Sequence, residues 1–357
     1  MRVCRTCVMD ETVKEFEPRG EKCNFCEGYV EKAKKAIRPM DIHALPFKDC
    51  LLGISGGLDS SYAAKKMYDA GYRPVILVVD NGWDTEASAN NVKVLLDYMK
   101  GCEVVTASLK TDIYREAQLA FLRSGTINCE IVSDHALIAI LYHEAVKRGI
   151  RYIVHGGNVV TEGIMPESWG YDAKDWKYIK AIYERHGNRE LFIDDLPHMN
   201  LWDWLDYTFI KRIKWFPILN HIGYDPTQAT RELQAIGWHR YGYKHMENIY
   251  TRWFQGYVLP TRWGIDKRKA HFSTEICAGT MNRELALELL RKPYYPEEQA
   301  EKDMAKIAGW FGIPEEELSF MIHIGGKRSH KVYPNNESLF RSLRVFVELA
   351  RRVAVGV

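Results

Sequence analysis

The chain predicts an α/β protein, built on a doubly wound parallel sheet. A small metal-binding module precedes the sheet and a mainly helical C-terminal region follows it. Three observations carry that prediction. Apolar runs at 51–54, 74–79, 104–107 and 152–154 read as buried strands, and they alternate with helical stretches at 60–70, 86–99 and 134–148. The first strand breaks at Ser55-Gly56-Gly57 and passes at once into an alanine-containing helix. Ahead of it, four cysteines stand as two CxxC pairs.

Each element follows from local chemistry. Cys4, Cys7, Cys23 and Cys26 make C-x2-C-x15-C-x2-C, a spacing suited to tetrahedral zinc. Disulfides and a redox dithiol are the other readings. A chain with no apolar leader argues against the first, and the missing βαβ context argues against the second. A module of this size buries too little to fold without its metal. It ends at a helix over 27–37 and a linker at Arg38-Pro39, so the expected units are 1–38, 45–240 and 241–357.

Composition sets the outer limits. With 357 residues, 46% hydrophobic and 27% charged, the chain can bury a full core. No run approaches the roughly 20 apolar residues that span a bilayer. A cytoplasmic protein with no membrane partner is therefore expected. The formal net charge of +2 gives no nucleic-acid footprint.

The Ser-Gly-Gly turn is the most informative local feature. Adjacent glycines let backbone N–H groups approach an anion, and the following helix start adds partial positive charge. There is no lysine placed as in a Walker A loop, and the glycine spacing is not the dinucleotide fingerprint. The segment Ser55-Gly-Gly-Leu-Asp-Ser-Ser61 instead resembles the signature of PP-loop pyrophosphatases, which are related in fold to the adenine nucleotide α-hydrolases and split ATP between its α- and β-phosphates. That resemblance implies Ser55, Gly56, Gly57, Ser60 and Ser61 around pyrophosphate. It puts Asp59 beside Mg²⁺. At the ends of later strands, Asp80 and the pair Gly157 and Asn158 are expected at the nucleotide.

Two later regions carry further signals. Eight of the ten tryptophans lie between Trp169 and Trp263, which reads as a helical region with an aromatic core and one or two rings in a substrate cleft. Lys267, Arg268, Lys269 and His271 stand together ahead of an expected amphipathic helix, where cations stabilise phosphate or a departing pyrophosphate. A further amphipathic helix is expected over 337–353.

Taken together, CxxC…CxxC, SGGLDSS, YGYKHMENIYTRWFQGYVLP and GIDKRKAHFST resemble the N-acetyl sugar amidotransferases over nearly the whole chain. These are PP-loop enzymes of bacterial surface-polysaccharide (LPS O-antigen) and flagellin-glycan biosynthesis. The resemblance implies conversion of an acetamido group on a nucleotide-linked sugar to an acetamidino group. ATP activates the amide oxygen and ammonia displaces AMP. It implies catalytic roles for Asp59, Lys267 and His271, a phosphate contact for Arg268, and substrate contacts for Lys244, His245, Glu247 and Arg252.

The chain shows no glutaminase of its own. Residue 2 is arginine rather than a nucleophilic cysteine, and Cys129 and Cys277 sit in INCEI and EICAG, not in a GxCxG elbow. Family resemblance therefore implies a separate glutamine amidotransferase subunit and a cyclase-like barrel subunit as ammonia suppliers. Two other readings compete. A tRNA thiolation enzyme also joins a cysteine-rich module to a PP-loop domain. It needs reactive cysteines or an iron–sulfur cluster near ATP, a role open to Cys129 or Cys277. The near-neutral charge and the lack of a CxxC pair within the nucleotide domain stand against it. A non-catalytic nucleotide-binding scaffold would bind ATP without turnover.

Overall fold

The strands form where the apolar runs stand. A computed structural model describes residues 2–242 and 244–343. It begins with a two-stranded hairpin, β1 (Pro18–Arg19) and β2 (Lys22–Cys23), and the helix α1 (Asn24–Ala36). The α/β core follows as β3 (Leu51–Ile54), α2 (Leu58–Asp69), β4 (Val75–Asp80), α3 (Glu86–Tyr98), β5 (Val104–Ser108), α4 (Asp112–Ser124), α5 (Ile131–Arg148), β6 (Tyr152–His155) and α6 (Val159–Glu162). The chain continues through α7 (Trp176–His186), α8 (Leu201–Leu205), β7 (Lys214–Pro217) and α9 (Pro226–Gln234). It closes with α10 (Ile249–Trp253), α11 (Arg268–Ala278), α12 (Arg283–Arg291), α13 (Glu297–Phe311) and α14 (Glu315–His323).

The sheet order is β5-β4-β3-β6-β7, and every pair is parallel. This is the doubly wound parallel sheet that the sequence predicts. Winding reverses between β3 and β6, so a crevice opens beyond the carboxyl ends of those two strands. Leu51, Leu52, Ile153 and Val154 are fully buried, as inner parallel strands covered on both faces require.

Three readings need correction. The region after Trp169 is not purely helical, because Lys-Trp-Phe-Pro at 214–217 adds the edge strand β7 beside β6. The helix α4 lies between Thr111, whose side chain accepts from Tyr114 N, and a left-handed Gly125. Those end signals were legible, but the segment was not read as an element. The basic run near 267 is not ahead of a helix. It forms the first turn of α11. The helix expected over 337–353 is helical from 337 to 343, and the rest of it lies outside the described residues.

The N-terminal module docks between α6 and α11. Val8 N donates to Ser273 Oγ, and Arg283 donates to the carbonyl oxygens of Cys7 (3.0 Å) and Cys4 (2.8 Å). Lys269 Nζ pairs with Asp10 at 2.6 Å. On the other side Lys32 donates to the Gly163 carbonyl, and Tyr29 packs so closely on Gly163 that a Cβ there would meet its ring at 2.5 Å. Among the described residues no helix is long and apolar enough to cross a membrane.

Candidate active site and metal centre

The cleft lies at the switch point and has a volume of about 620 Å³. Its floor is the turn after β3. Gly56 there has φ +74°, a conformation that strains any other residue, and its carbonyl accepts from Trp238 Nε1 (3.0 Å), Tyr241 Oη (3.2 Å) and Asn91 Nδ2 (3.3 Å). Gly57 is the N-cap of α2 and supplies no side-chain cap, so the first N–H groups of that 12-residue helix have no capping side chain. Ser55 and Ser60 face each other with hydroxyls 3.1 Å apart and line the cleft. Backbone donors, hydroxyls and a helix start in one concavity form an anion cradle.

Opposite this cradle the strand β6 ends in Gly156 and Gly157. A Cβ on Gly156 would sit 2.5 Å from the Asp59 carbonyl carbon and 2.6 Å from Ser60 N, so the two turns touch through bare backbone. Asp59 is held from three sides. Lys244 Nζ lies 2.9 Å from Oδ2, Thr161 Oγ1 donates to the same oxygen, and Tyr224 donates to Oδ1. Lys244 also pairs with Glu162 at 2.7 Å and donates to Thr161 Oγ1 at 2.8 Å. Despite burial, the neighbouring Asp59 and Glu162 hold its ammonium protonated well above the usual lysine range. The cleft walls add Leu77, Val78, Val79 and Val92, an apolar bed for a base.

Several carboxyls around the cleft are pushed up by burial: Asp84 to about 6, Glu247 to about 7 and Asp134 to about 7. Glu247 leans over the cradle, where its Oε1 would meet a Cβ on Gly57 at 2.9 Å. Ionising Glu247 places a negative charge beside the anion site, so pyrophosphate affinity should weaken as pH rises from about 6 to about 8. Glu247→Gln should bind more tightly at the upper pH, by roughly threefold or more, and show a flatter profile. Calorimetric titrations of both proteins at the two pH values check this. Parallel profiles would remove Glu247 from the site.

Some expected residues lie elsewhere. Ser61 is fully buried on the inner face of α2, because one helical step past Ser60 turns its side chain about 100° away from the cleft. Asp80 ends β4 but pairs with Lys110 at 2.6 Å, and the cleft positions at that strand end are Asn81 and Asp84. Asn158 caps α6 through Thr161 N. The basic run disperses because consecutive helical residues face different ways. Lys267 meets Glu130 at 3.3 Å, Arg268 is locked on Asp266 and the Leu289 and Lys292 carbonyls, and His271 is buried behind the wall.

Arg252 is likewise structural. It grips Asp303 through two 2.7 Å bonds, joining α10 to α13. Asp303 is 2% exposed, so Arg252→Ala leaves a buried carboxylate without its cation. We expect a loss of about 3 kcal/mol in stability with the substrate KM unchanged. Denaturant melts and saturation curves separate the two effects.

The residues not foreseen are Thr161, Glu162, Asp84, Glu130 and Asp134. Glu130 and Asp134 sit around the start of α5, which runs antiparallel to the sheet and so begins at the strands' carboxyl ends. Acidic residues at such a helix start were the available signal.

The four cysteines converge. Their ligand atoms lie within 4.8 Å of one another, with sulfurs 3.7 Å apart for Cys4 and Cys26, 3.8 Å for Cys7 and Cys23, and 3.7 Å for Cys23 and Cys26. Bonds of about 2.3 Å from zinc place tetrahedral sulfurs about 3.8 Å apart. The set fits zinc and leaves no open position for substrate.

The comparisons with known proteins bear on the C-terminal side of this cleft. Residues 247–347 match the family of LPS biosynthesis protein WbpG-like, C-terminal domain. The WbpG-like segment supplies Glu247, Asn248, Thr251, Glu275, Thr280 and Met281 to the cleft and holds His271 behind it. Lys244 and His245 stand just ahead of it. No curated protein gives a significant match to the chain. Among solved structures, NMN synthetase from Francisella tularensis is 15% identical, with 80% of this chain and 93% of that one covered and a TM-score of 0.29. NH3-dependent NAD synthetase from Campylobacter jejuni is 13% identical, with 62% and 100% covered and a TM-score of 0.28. A subunit assigned to a tRNA methyltransferase of Methanocaldococcus jannaschii is 14% identical, with 53% and 76% covered and a TM-score of 0.30. At such scores these likenesses carry no argument about chemistry.

Proposed function

We propose that the chain is an ATP-dependent, AMP- and pyrophosphate-forming amidotransferase of surface-glycan biosynthesis, acting on the acetamido group of a nucleotide-activated sugar. The observation that carries the proposal is the uncapped start of α2, with Ser55, Gly57 and Ser60, facing Lys244 across one cleft. The WbpG-like match over 247–347 supports the glycan setting.

In this reading the β- and γ-phosphates occupy the cradle. Lys244 shifts from Asp59 and Glu162 to the phosphates, which frees Asp59. Mg²⁺ held there would screen the phosphate charge. The amide oxygen attacks the α-phosphorus, pyrophosphate leaves, and the amide N–H proton passes to solvent. The product is a neutral O-adenylyl imidate, and ammonia then displaces AMP. A glutaminase subunit and a cyclase-like barrel subunit are proposed as the ammonia source. No cysteine lines the cleft among the described residues, and burial pushes the Cys129 thiol up to about 12. Both observations favour this reading over tRNA thiolation.

The test is mass spectrometry of the protein with ATP, Mg²⁺, ammonium and a panel of acetamido nucleotide-sugars. A sugar lighter by about one mass unit, formed with AMP and pyrophosphate, supports the reading, since NH replaces O. Asp59→Ala should abolish sugar-dependent ATP/pyrophosphate exchange. Sulfur transfer to added tRNA, or ATP binding with no turnover, would replace the proposal.

A further inference from the structure

Among the buried polar atoms without a partner, Nε2 of His271 stands beside a residue of the cleft. His271 lies on α11, 8% exposed, with Nδ1 3.3 Å from the Thr161 carbonyl oxygen. A carbonyl only accepts, so Nδ1 carries the proton and Nε2 presents a bare lone pair. That Nε2 is buried and has no hydrogen-bond partner. A buried acceptor without a donor is costly and calls for an occupant.

The ring beside that of His271 belongs to His245. Its ring centroid is 5.6 Å from that of His271, and it lines the cleft. Its φ of +67° is one of two positive values at non-glycine residues among those described. Backbone strain of this kind is retained where a side chain must be aimed. Burial, then Lys244, holds both imidazoles neutral. His271 is lowered to about 3, and His245 lies well below its usual value. Lys267 adds to the same effect on both rings, and Asp59 opposes it weakly at His271. Lys244 is itself shared between Asp59 and Glu162, and Lys267 is paired with Glu130.

We infer that His245 and His271 form the niche that receives neutral ammonia and presents it to the activated sugar carbon. The inference rests on the amidine-forming reading above. The bare Nε2 calls for a small hydrogen-bond donor, and the amidine-forming reading calls for one that also carries a lone pair on nitrogen. Ammonia donates one N–H to His271 Nε2 and keeps its lone pair for attack. Ammonium has no lone pair and cannot attack carbon, so only the neutral form is productive in the niche. In the step itself, ammonia's lone pair forms the new carbon–nitrogen bond. The carbon–oxygen bond to AMP breaks and AMP leaves with its electrons. One N–H proton passes to the sugar nitrogen, and the neutral imidate becomes the amidinium.

The experiment compares wild type, His271→Leu and His271→Gln in two assays. One is amidine formation against total ammonium. The other is sugar-dependent ATP/pyrophosphate exchange without ammonium. The leucine variant should raise the KM for ammonium about tenfold while exchange persists, since it removes the Nε2 acceptor and, besides that, only the 3.3 Å bond to the Thr161 carbonyl. The glutamine variant restores an acceptor oxygen near the same place and should recover most of the loss. In wild type the KM for total ammonium should fall about tenfold per pH unit between about pH 6 and 8, tracking free ammonia. An unchanged ammonium KM in His271→Leu, a pH-independent KM, or exchange lost in step with amidine formation in both variants overturns the niche. Absence of amidine from wild type with every sugar overturns the amidine reading, and the niche with it.

Discussion

Removing the metal from the four-cysteine centre should unfold residues 2–37 and loosen α6 and α11 together. The expected loss is large because the module has little apolar surface of its own. Binding free energies of zinc at such sites are on the order of 10 kcal/mol and are spent on folding. The effect should not stop at the module. Val8, Asp10 and the carbonyls of Cys4 and Cys7 are tied to Ser273, Lys269 and Arg283, and Tyr29 and Lys32 are tied to Gly163. The same two helices carry Thr161, Glu162 and Glu275 to the cleft, and Thr274 Oγ1 accepts from Ile164 N to bind them to each other. Chelation followed by hydrogen exchange should therefore show faster exchange over 159–163 and 268–278 as well as over 2–37, with zinc released at one ion per chain. Cys23→Ser should reproduce the pattern. Exchange confined to the module would show a passenger rather than a brace.

Gly156→Ala should weaken nucleotide binding while leaving the fold measurable. The new Cβ would fall 2.5–2.6 Å from three backbone atoms of Asp59 and Ser60, and backbone cannot rotate aside as a side chain does. Accommodating it means parting the β3 and β6 turns, at a cost of about 1–3 kcal/mol. If that strain falls on the bound geometry of the cradle, ATP affinity drops by roughly ten- to a hundredfold. Gly170→Ala is the matched control, since a Cβ there meets nothing within 4 Å. Equal ATP affinity in both variants would mean that the close approach of the two turns has no part in the site.

Much of this arrangement was readable from residues alone because its signals are local. Gly56 at φ +74°, the helix that follows it and the CxxC spacings each depend on a few adjacent positions. The parallel, doubly wound character of the sheet followed from the alternation of strands and helices. What sequence reasoning misplaced depends on direction. Ser61, Arg268 and Lys269 lie within a residue or two of cleft or wall positions, yet each helical step sends the next side chain elsewhere. Asp80 has the right chemistry at the right strand end, but Lys110 draws it away and Asp84 takes the cleft position. The strand β7 was hidden because Trp-Phe-Pro in an aromatic-rich stretch carries no clean alternation. Thr161 and Glu162 depended on a contact with Lys244 about 80 residues away, which no local pattern encodes.

The Gly56 carbonyl, gripped by the Trp238 indole N–H, also gives the protein an optical reporter. The peptide dipole that points at the indole ring belongs to the turn that wraps the anion. Any rotation of that peptide on filling changes the electric field across the chromophore and so the colour of its emission. Filling of the cradle should then shift the contribution of Trp238 to the ultraviolet emission, and Trp238→Phe should remove that shift.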